Sequence, residues 1–452
     1  MRFLRRKFLI MRKISYTLVL FLALQSVFGQ NSVNMTLDEA INYAIKNQPS
    51  FQNYVVEQQI AQAKRLQSIS GYLPKINGNA SLQNNLKLPI VALKFPNPIT
   101  GEPENLKIQQ GTTYQGAASV DLTIPLVDAT AIGDLKYTKQ QKSLSDLQLQ
   151  QAIIDLKVNV SRTYYLVLLN AERLKKNQNT LARDQKAYDD TKVKYDNQSA
   201  LKTDLNRAYL NLQNTKYQVK IAQDSVITTK SNLGQLIGLP LDSKPELTDV
   251  LPMQIKEESI PEYPDFKSAE QARIELKTEG MQEALNQLQL KKVNYGYIPT
   301  LSGYGSFGGI GLDNSNLFQR SSWVSNDYIG IRLTVPIFDG LQKVAQMQLQ
   351  RLAIRKNENN INNIKQTINY QLQTTSVNYA NCYQNLALIK ENVQLAEDVV
   401  KDVNVRYQNS MATYQEVLDA ENTLKDTEFN YLQALYAFLV ADLDWKKANG
   451  KL

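Results

Sequence analysis

Side chains able to perform chemistry are scarce in this chain of 452 residues. The sequence has no histidine and a single cysteine, Cys382. These counts exclude histidine-based acid and base chemistry, histidine-ligated zinc, cysteine clusters and a disulfide within the chain. Cys382 lies on an apolar helical seam, and we interpret it as a small buried hydrophobic residue. We predict a protein that is not an enzyme and that has no metal or cofactor.

The positive charge of the chain is concentrated at its start. The formal net charge is +8, and six basic residues with no acidic residue lie before position 14. The remainder is nearly neutral, which argues against nucleic acid as a partner. An apolar run over residues 14–28 follows, and then Gly29 and Gln30. This order predicts a secretory signal peptide over residues 1–30, with an N-terminal membrane anchor as the alternative.

The chain is an internal duplication. There is no proline over residues 126–239 or over residues 337–452, and Tyr195 and Tyr407 mark equivalent positions 212 residues apart. We assign a first repeat to residues 31–239, a proline-rich connecting segment to residues 240–264 and a second repeat to residues 265–452. Each repeat is expected to contain a helix, two strands and a long helical hairpin.

Apolar periodicity predicts very long helices. From Ile361 to Tyr407 apolar positions recur by threes and fours with a mean spacing near 3.5, which is a coiled-coil seam. Uninterrupted helices are expected over residues 38–71, 128–197, 201–236, 265–296, 340–409 and 413–448. Between them, four segments alternate with period two, starting near Lys75, Ala117, Thr300 and Tyr328. These segments predict membrane-spanning strands joined by loops over residues 89–111 and 308–326, with soluble hairpins as the alternative.

Several short motifs then point to a known family. They are Gly71-Tyr-Leu-Pro, Gly296-Tyr-Ile-Pro, Thr334-Val-Pro-Ile-Phe-Asp-Gly and the segment from Tyr407 to Glu421. In this order the chain resembles the TolC-like outer-membrane efflux proteins from about Thr36 to Gly450. The resemblance implies a mainly α protein with a membrane β-barrel. Four strands from each chain of a homotrimer would form a 12-stranded barrel, and the coiled-coil helices would form an α-barrel tunnel. Four strands cannot close a barrel alone, so spanning strands require other copies.

The resemblance also implies a gate and two helical tips. The gate would link Tyr407 to Asp204, while Ala412 stands where the family has a second, arginine link. Glu416 and Asp419 match two acidic residues three apart, which in a trimer would form a cation-attracting ring of six carboxylates. The tips, expected to dock an adaptor, comprise Asn197, Gln198 and Leu201 in the first repeat and Asn409, Ser410 and Met411 in the second. The family has glycine at positions 198 and 410, so we expect the neighbouring asparagines to adopt the left-handed turn conformation.

The function implied by the resemblance is a passive exit duct in the outer membrane. Such a duct serves a tripartite efflux or type I secretion system. Its expected partners are two further copies of the chain, a periplasmic adaptor, an inner-membrane pump of the RND, ABC or MFS type, and outer-membrane lipid. The alternative is an exported coiled-coil scaffold of the periplasm or cell surface. A periplasmic adaptor would lack the duplicated hairpins and the alternating strands.

Overall fold

The computed structural model describes residues 32–96, 101, 103–240, 243–252, 266–319, 322–409 and 411–452. The predicted signal peptide and most of the predicted connecting segment lie outside these residues. The helices are α1 (Leu37–Asn47), α2 (Pro49–Ser70), α3 (Ala129–Asp196), α4 (Lys202–Ile237), α5 (Phe266–Ala272), α6 (Ile274–Tyr295), α7 (Gln342–Gln408) and α8 (Tyr414–Ala448). The strands are β1 (Ser32–Met35), β2 (Lys75–Asn84), β3 (Ile90–Pro96), β4 (Pro103–Gln109), β5 (Tyr114–Val127), β6 (Lys244–Leu247), β7 (Thr300–Asp313), β8 (Trp323–Ser325) and β9 (Tyr328–Thr334). Within the described ranges, no helix has the length and apolar character needed to cross a membrane.

The chain folds as two compact units. A helical unit comprises Met1–Val56, Leu147–Lys277 and Asn362–Leu452, and a strand-bearing unit comprises Glu57–Asp146 and Thr278–Ile361. The predicted long helices are confirmed and come in matched pairs. Helix α3 has 68 residues and α7 has 67, while α4 has 36 and α8 has 35. Proline-free sequence allows this length because no residue interrupts the backbone hydrogen bonds.

The prediction of uninterrupted helices over residues 38–71 and 265–296 is wrong, because each of these segments forms two helices. The first break follows Gln48, where Pro49 begins α2 without a backbone N–H to donate. The side-chain Oε1 of Gln48 instead accepts from the backbone N–H of Phe51 at 2.6 Å. The second break lies at Arg273, between α5 and α6. Arg273 is only 5 % exposed, and its guanidinium donates to both Oε1 and Oε2 of Glu275 at 2.9 Å.

A glycine at the end of each helical hairpin contacts the chain beside one of these breaks. Gly238 has a φ of 78°, and a Cβ there would lie 2.7 Å from the carbonyl oxygen of Asn47. Its equivalent Gly450 has a φ of 67°, and a Cβ there would lie 2.7 Å from the Cβ of Ala272. Both positions therefore require glycine for conformation and for space. The duplication thus preserves a tertiary contact in addition to the elements themselves.

The core of the helical unit lies where α3, α4 and α8 pack with α1 and β1. Its fully buried side chains include Val160, Tyr164, Leu169, Leu233, Ile237, Leu432 and Leu435. The hydroxyl of Tyr164 donates to Oδ2 of Asp249 at 2.8 Å, and that oxygen also accepts from the backbone N–H of Leu37 at 2.9 Å. Burial, reinforced by Asp249, raises the pKa of Tyr164. The carboxylate of Asp249 therefore connects the start of α1 to α3.

The four predicted strands are confirmed as β2, β5, β7 and β9. They pair antiparallel in the order β2–β5–β7–β9, with the short β8 also paired to β7. Among the described residues, β2 and β9 each have one neighbouring strand, so both outer edges of this sheet are unpaired. The apolar residues of β9 are largely exposed, namely Ile329, Ile331 and Leu333. On polar positions of the same sheet, Asp121 accepts hydrogen bonds from Ser306 and Asn79.

The prediction of a loop over residues 89–111 is wrong in one respect, because this segment contains a β-hairpin. Strands β3 and β4 pair antiparallel from Ile90 opposite Gln109 to Pro96 opposite Pro103. Aliphatic residues at Ile90, Val91 and Ile108 favour strand conformation. Proline is tolerated at the end of the ladder, where fewer backbone donors are required.

Candidate functional site

The first tip is the turn between α3 and α4. The backbone N–H of Ser199 donates to the carbonyl of Lys194 at 2.7 Å, and that of Gln198 donates to the carbonyl of Tyr195 at 2.9 Å. Gln198 has a φ of 59°, which places it in the left-handed region. The prediction that Asn197 would take this conformation is wrong. Asn197 still donates to the carbonyl of Val193, four residues earlier, at 3.1 Å, so the reversal falls on the next residue.

The second tip lies between α7 and α8 and closes in the same way. The backbone N–H of Met411 donates to the carbonyl of Arg406 at 2.8 Å, and these residues lie 212 positions after Ser199 and Lys194. Asn409 keeps a helical hydrogen bond to the carbonyl of Val405 at 3.2 Å, and it is not left-handed, contrary to expectation. Ser410 lies outside the described residues.

The two tips differ in how their second helix starts. Thr413 caps α8, since its hydroxyl accepts from the backbone N–H of Glu416 at 3.3 Å. The equivalent position in the first tip is Leu201, which provides no side-chain cap for α4. Leu201 is 69 % exposed and Met411 is 71 % exposed. Each tip therefore presents an apolar side chain to solvent, at the position where sequence analysis expects adaptor docking.

The residues carried over for the gate have other partners in this chain. The hydroxyl of Tyr407 accepts from Nζ of Lys194 at 3.2 Å, and that nitrogen lies 4.8 Å from the centre of the Tyr407 ring. We call this contact between α3 and α7 the tip latch. Asp204 lies 3.9 Å from the guanidinium of Arg207 on the same helix. Although the structure describes both residues, it records no hydrogen bond between Tyr407 and Asp204.

The two acidic residues of the expected ring lie on the first turns of α8. Glu416 and Asp419 are both exposed and stand three residues apart, on one face of the helix. Oε2 of Glu416 lies 3.7 Å from the guanidinium of Arg406, and Oδ1 of Asp419 accepts from the side-chain amide of Gln415 at 2.8 Å. The structure thus places both carboxylates near the second tip with their charge accessible to solvent.

Sequence analysis did not identify Lys194 and Arg406 as tip residues. The signal that could have found them is the duplication, since the two basic residues are 212 positions apart and each directly precedes a tyrosine, Tyr195 or Tyr407. Their contacts depend on how the hairpins pack, which the repeat alone does not specify. Cys382 is half-buried beside the core, and burial raises the pKa of its thiol. Within the described ranges, no three carboxylate or thiol groups are arranged to hold a metal ion.

A sheet with an exposed apolar edge strand, joined to duplicated pairs of very long helices, defines a class of outer-membrane channels. The model of the family described as outer membrane efflux protein matches residues 40–239 and 269–450, so the chain belongs to this family. Its relatives include the alkaline protease secretion protein AprF of Pseudomonas aeruginosa, 21 % identical over 95 % of this chain and 90 % of AprF. Another is the outer membrane protein TolC of Escherichia coli, 21 % identical over 74 % of this chain and 69 % of TolC.

Solved structures show the same fold. CusC superimposes with a TM-score of 0.72 at 17 % identity, covering 94 % of this chain and 95 % of CusC. The outer membrane channel CmeC of Campylobacter jejuni gives a TM-score of 0.72 at 18 % identity, covering 92 % of this chain and 85 % of CmeC. The chain is therefore an outer-membrane efflux or secretion channel with a large periplasmic portion. Its family consists of transport conduits, which favours the channel over the exported scaffold.

Proposed function

We propose that three copies of this chain form the passive exit duct of a tripartite efflux or type I secretion system. Among the residues that the structure describes, the sheet that contains β2 and β9 has an unpaired edge at each of these two strands. Because an open sheet edge is not tolerated in lipid, the sheet needs neighbours on both sides. Three copies of β2, β5, β7 and β9 would supply the 12 strands expected from the family resemblance. The duct performs no reaction, so we propose that it is not an enzyme and that an inner-membrane pump provides the energy.

The observation that carries the docking proposal is the exposed apolar residue at each tip. An apolar side chain on a tight turn is a suitable anchor for a partner because its burial releases water at little conformational cost. We propose that Leu201 and Met411 contact a periplasmic adaptor, which connects the duct to a pump of the RND, ABC or MFS type. The tip residues Asn197, Gln198 and Asn409 would shape this surface.

Substitution of the two anchors tests this proposal. Leu201→Asp and Met411→Asp should each abolish export of the cargo in cells while the protein still assembles as a trimer in the outer membrane. Leu201→Ile and Met411→Leu are the matched controls, because they keep an apolar side chain at the same place and should support export. Normal export by both aspartate variants would show that the adaptor docks elsewhere.

The gate belongs to the same proposal. The tip latch would hold the periplasmic end closed, and the carboxylates of Glu416 and Asp419 from three chains would form the constriction behind it. Six carboxylates around a narrow opening attract cations and repel anions. A purified trimer in a planar bilayer should therefore favour cations. It should also be blocked by multivalent cations added from the periplasmic side.

A further inference from the structure

Two acidic side chains face a narrow gap where α3, α4 and α8 meet, about two to four helical turns behind the tips. Asp184 on α3 is only 4 % exposed, and Oδ2 of its carboxylate accepts from the hydroxyl of Thr215 on α4 at 2.6 Å. Glu421 on α8 lines the same gap, together with Arg183, Asn211, Thr215 and Lys425. A carboxylate in such a position is costly to ionise unless a cation pairs with it.

No such cation is in direct contact. In the part of the chain that the structure describes, no ion pair within 4.0 Å joins Arg183 or Lys425 to either carboxylate. Burial raises the pKa of Asp184, and the hydrogen bond from Thr215 and the two basic residues only partly oppose this. Burial also raises the pKa of Glu421, the charge of Arg183 partly opposes this, and the charge of Asp184 adds to it. The two acids therefore retain protons more readily in the folded protein than they would in an unfolded chain.

Helix α8 runs from this gap to the tip latch, and Tyr414 stands at its start. Tyr414 begins α8, and burial of its hydroxyl, together with the charges of Glu421 and Asp184, raises its pKa to about 12. The ring of Tyr414 lies 6.2 Å from that of Tyr407. Tyr407 in turn is held by Lys194. A change in how α8 packs at Glu421 would therefore move the residue that supports the latch.

We propose that Asp184 and Glu421 form a proton-responsive joint, which fixes α8 to the first helical hairpin when it is protonated and loosens it when both acids are ionised. The titratable and charged groups that face the joint are Arg183 on α3, Lys425 on α8 and Tyr414 at the start of α8; α4 contributes the neutral Asn211 and Thr215. The joint stabilises the fold fully below the ordinary carboxyl pKa. This stabilisation is lost as pH rises through the raised values.

The joint is present in one repeat only. The position 212 residues after Asp184 is Ala396, and the position 212 residues before Glu421 is Tyr209. Proton binding therefore acts on the packing of α8 against the first hairpin and has no counterpart at the equivalent positions. The consequence for gating rests on the proposed function. In the assembled channel, the tip latch should open more readily at neutral pH than at mildly acidic pH.

Thermal unfolding of the purified full-length protein tests the joint directly. Asp184→Asn with Glu421→Gln keeps the shape of both side chains and removes the charge. We expect this double variant to unfold at the same temperature as the wild type at pH 4, and several degrees higher at pH 7.5. Asp190→Asn with Asp426→Asn is the matched control, because both residues are exposed on the same two helices. The control should follow the wild type. A constant difference between the double variant and the wild type at both pH values would overturn the proposal.

Single-channel recording tests the connection to the latch. The opening frequency of the wild type should rise at least twofold from pH 5 to pH 7.5, and that of the double variant should stay constant. Cation preference should be unchanged in the double variant, which separates the joint from the carboxylates of Glu416 and Asp419. If the double variant keeps the wild-type pH dependence of opening, the joint does not control the latch. If no variant conducts, the proposed channel function fails, and thermal unfolding alone decides the joint.

Discussion

The tip latch allows a quantitative prediction for Lys194→Met. The wild-type lysine donates to the Tyr407 hydroxyl at 3.2 Å and lies 4.8 Å from the ring centre. A cation–π contact at an exposed site contributes roughly 0.5–1 kcal/mol. With a solvent-accessible hydrogen bond added, the latch is worth about 1 kcal/mol per chain. If three chains open together, loss of all three latches changes the free energy of opening by about 3 kcal/mol. The open fraction should therefore rise on the order of 100-fold.

Planar-bilayer recording measures this open fraction directly. Tyr407→Phe keeps the ring contact and loses the hydrogen bond, so its effect should be roughly half as large in free energy. Lys192→Met is the matched control, since Lys192 is exposed on the same helix. Asp204→Ala should leave the open fraction unchanged, because Asp204 faces Arg207 and not Tyr407. An open fraction that rises with Asp204→Ala but not with Lys194→Met would refute the latch and restore the gate expected from the family.

Three further predictions concern the tip, the second repeat and the constriction. Gln198→Gly should raise the free energy of unfolding by roughly 0.5–1 kcal/mol, because glycine adopts a φ of 59° without strain. Denaturant unfolding with Gln198→Ala as control checks this, and a destabilised glycine variant would contradict it. Arg273→Ala should cost roughly 1–3 kcal/mol because it leaves the half-buried Glu275 without its partner. An unfolding midpoint equal to that of the wild type would show that solvent replaces the arginine. Glu416→Ala with Asp419→Ala should abolish cation preference in bilayers, and an unchanged preference would place the constriction elsewhere.

Much of the fold follows from patterns within single segments. Proline-free sequence and a 3.5-residue apolar period predict α3 and α7 within two residues at each end. Period-two alternation predicts the strands around Lys75 and Tyr328. Pro49 is a signal in the sequence for the break after Gln48, and the break at Arg273 was missed because no proline marks it. They are stabilised by a side-chain cap and by a buried ion pair, which periodicity does not reveal.

The functional residues divide in the same way. The motifs predicted where the tips and the acidic pair Glu416 and Asp419 lie along the chain, because their position depends on the ends of helices. The glycine of the family marks position 198, but we expected Asn197 to adopt the left-handed conformation; the closing hydrogen bond from Ser199 to Lys194 selects Gln198 instead. The partner of Tyr407 was also missed. That contact joins residues 213 positions apart and depends on the packing of two hairpins.

The sequence by itself therefore determined the class of protein, the duplication and the order of elements, because these are properties of local period, proline placement and motif spacing. Only the tertiary structure decided which side chains meet. It placed Lys194 on Tyr407 and Glu421 in one gap with Asp184. The physical reason is that polar contacts between distant helices have short range and strict geometry. A shift of one residue in helix register, which leaves the apolar pattern readable, would replace every one of these partners.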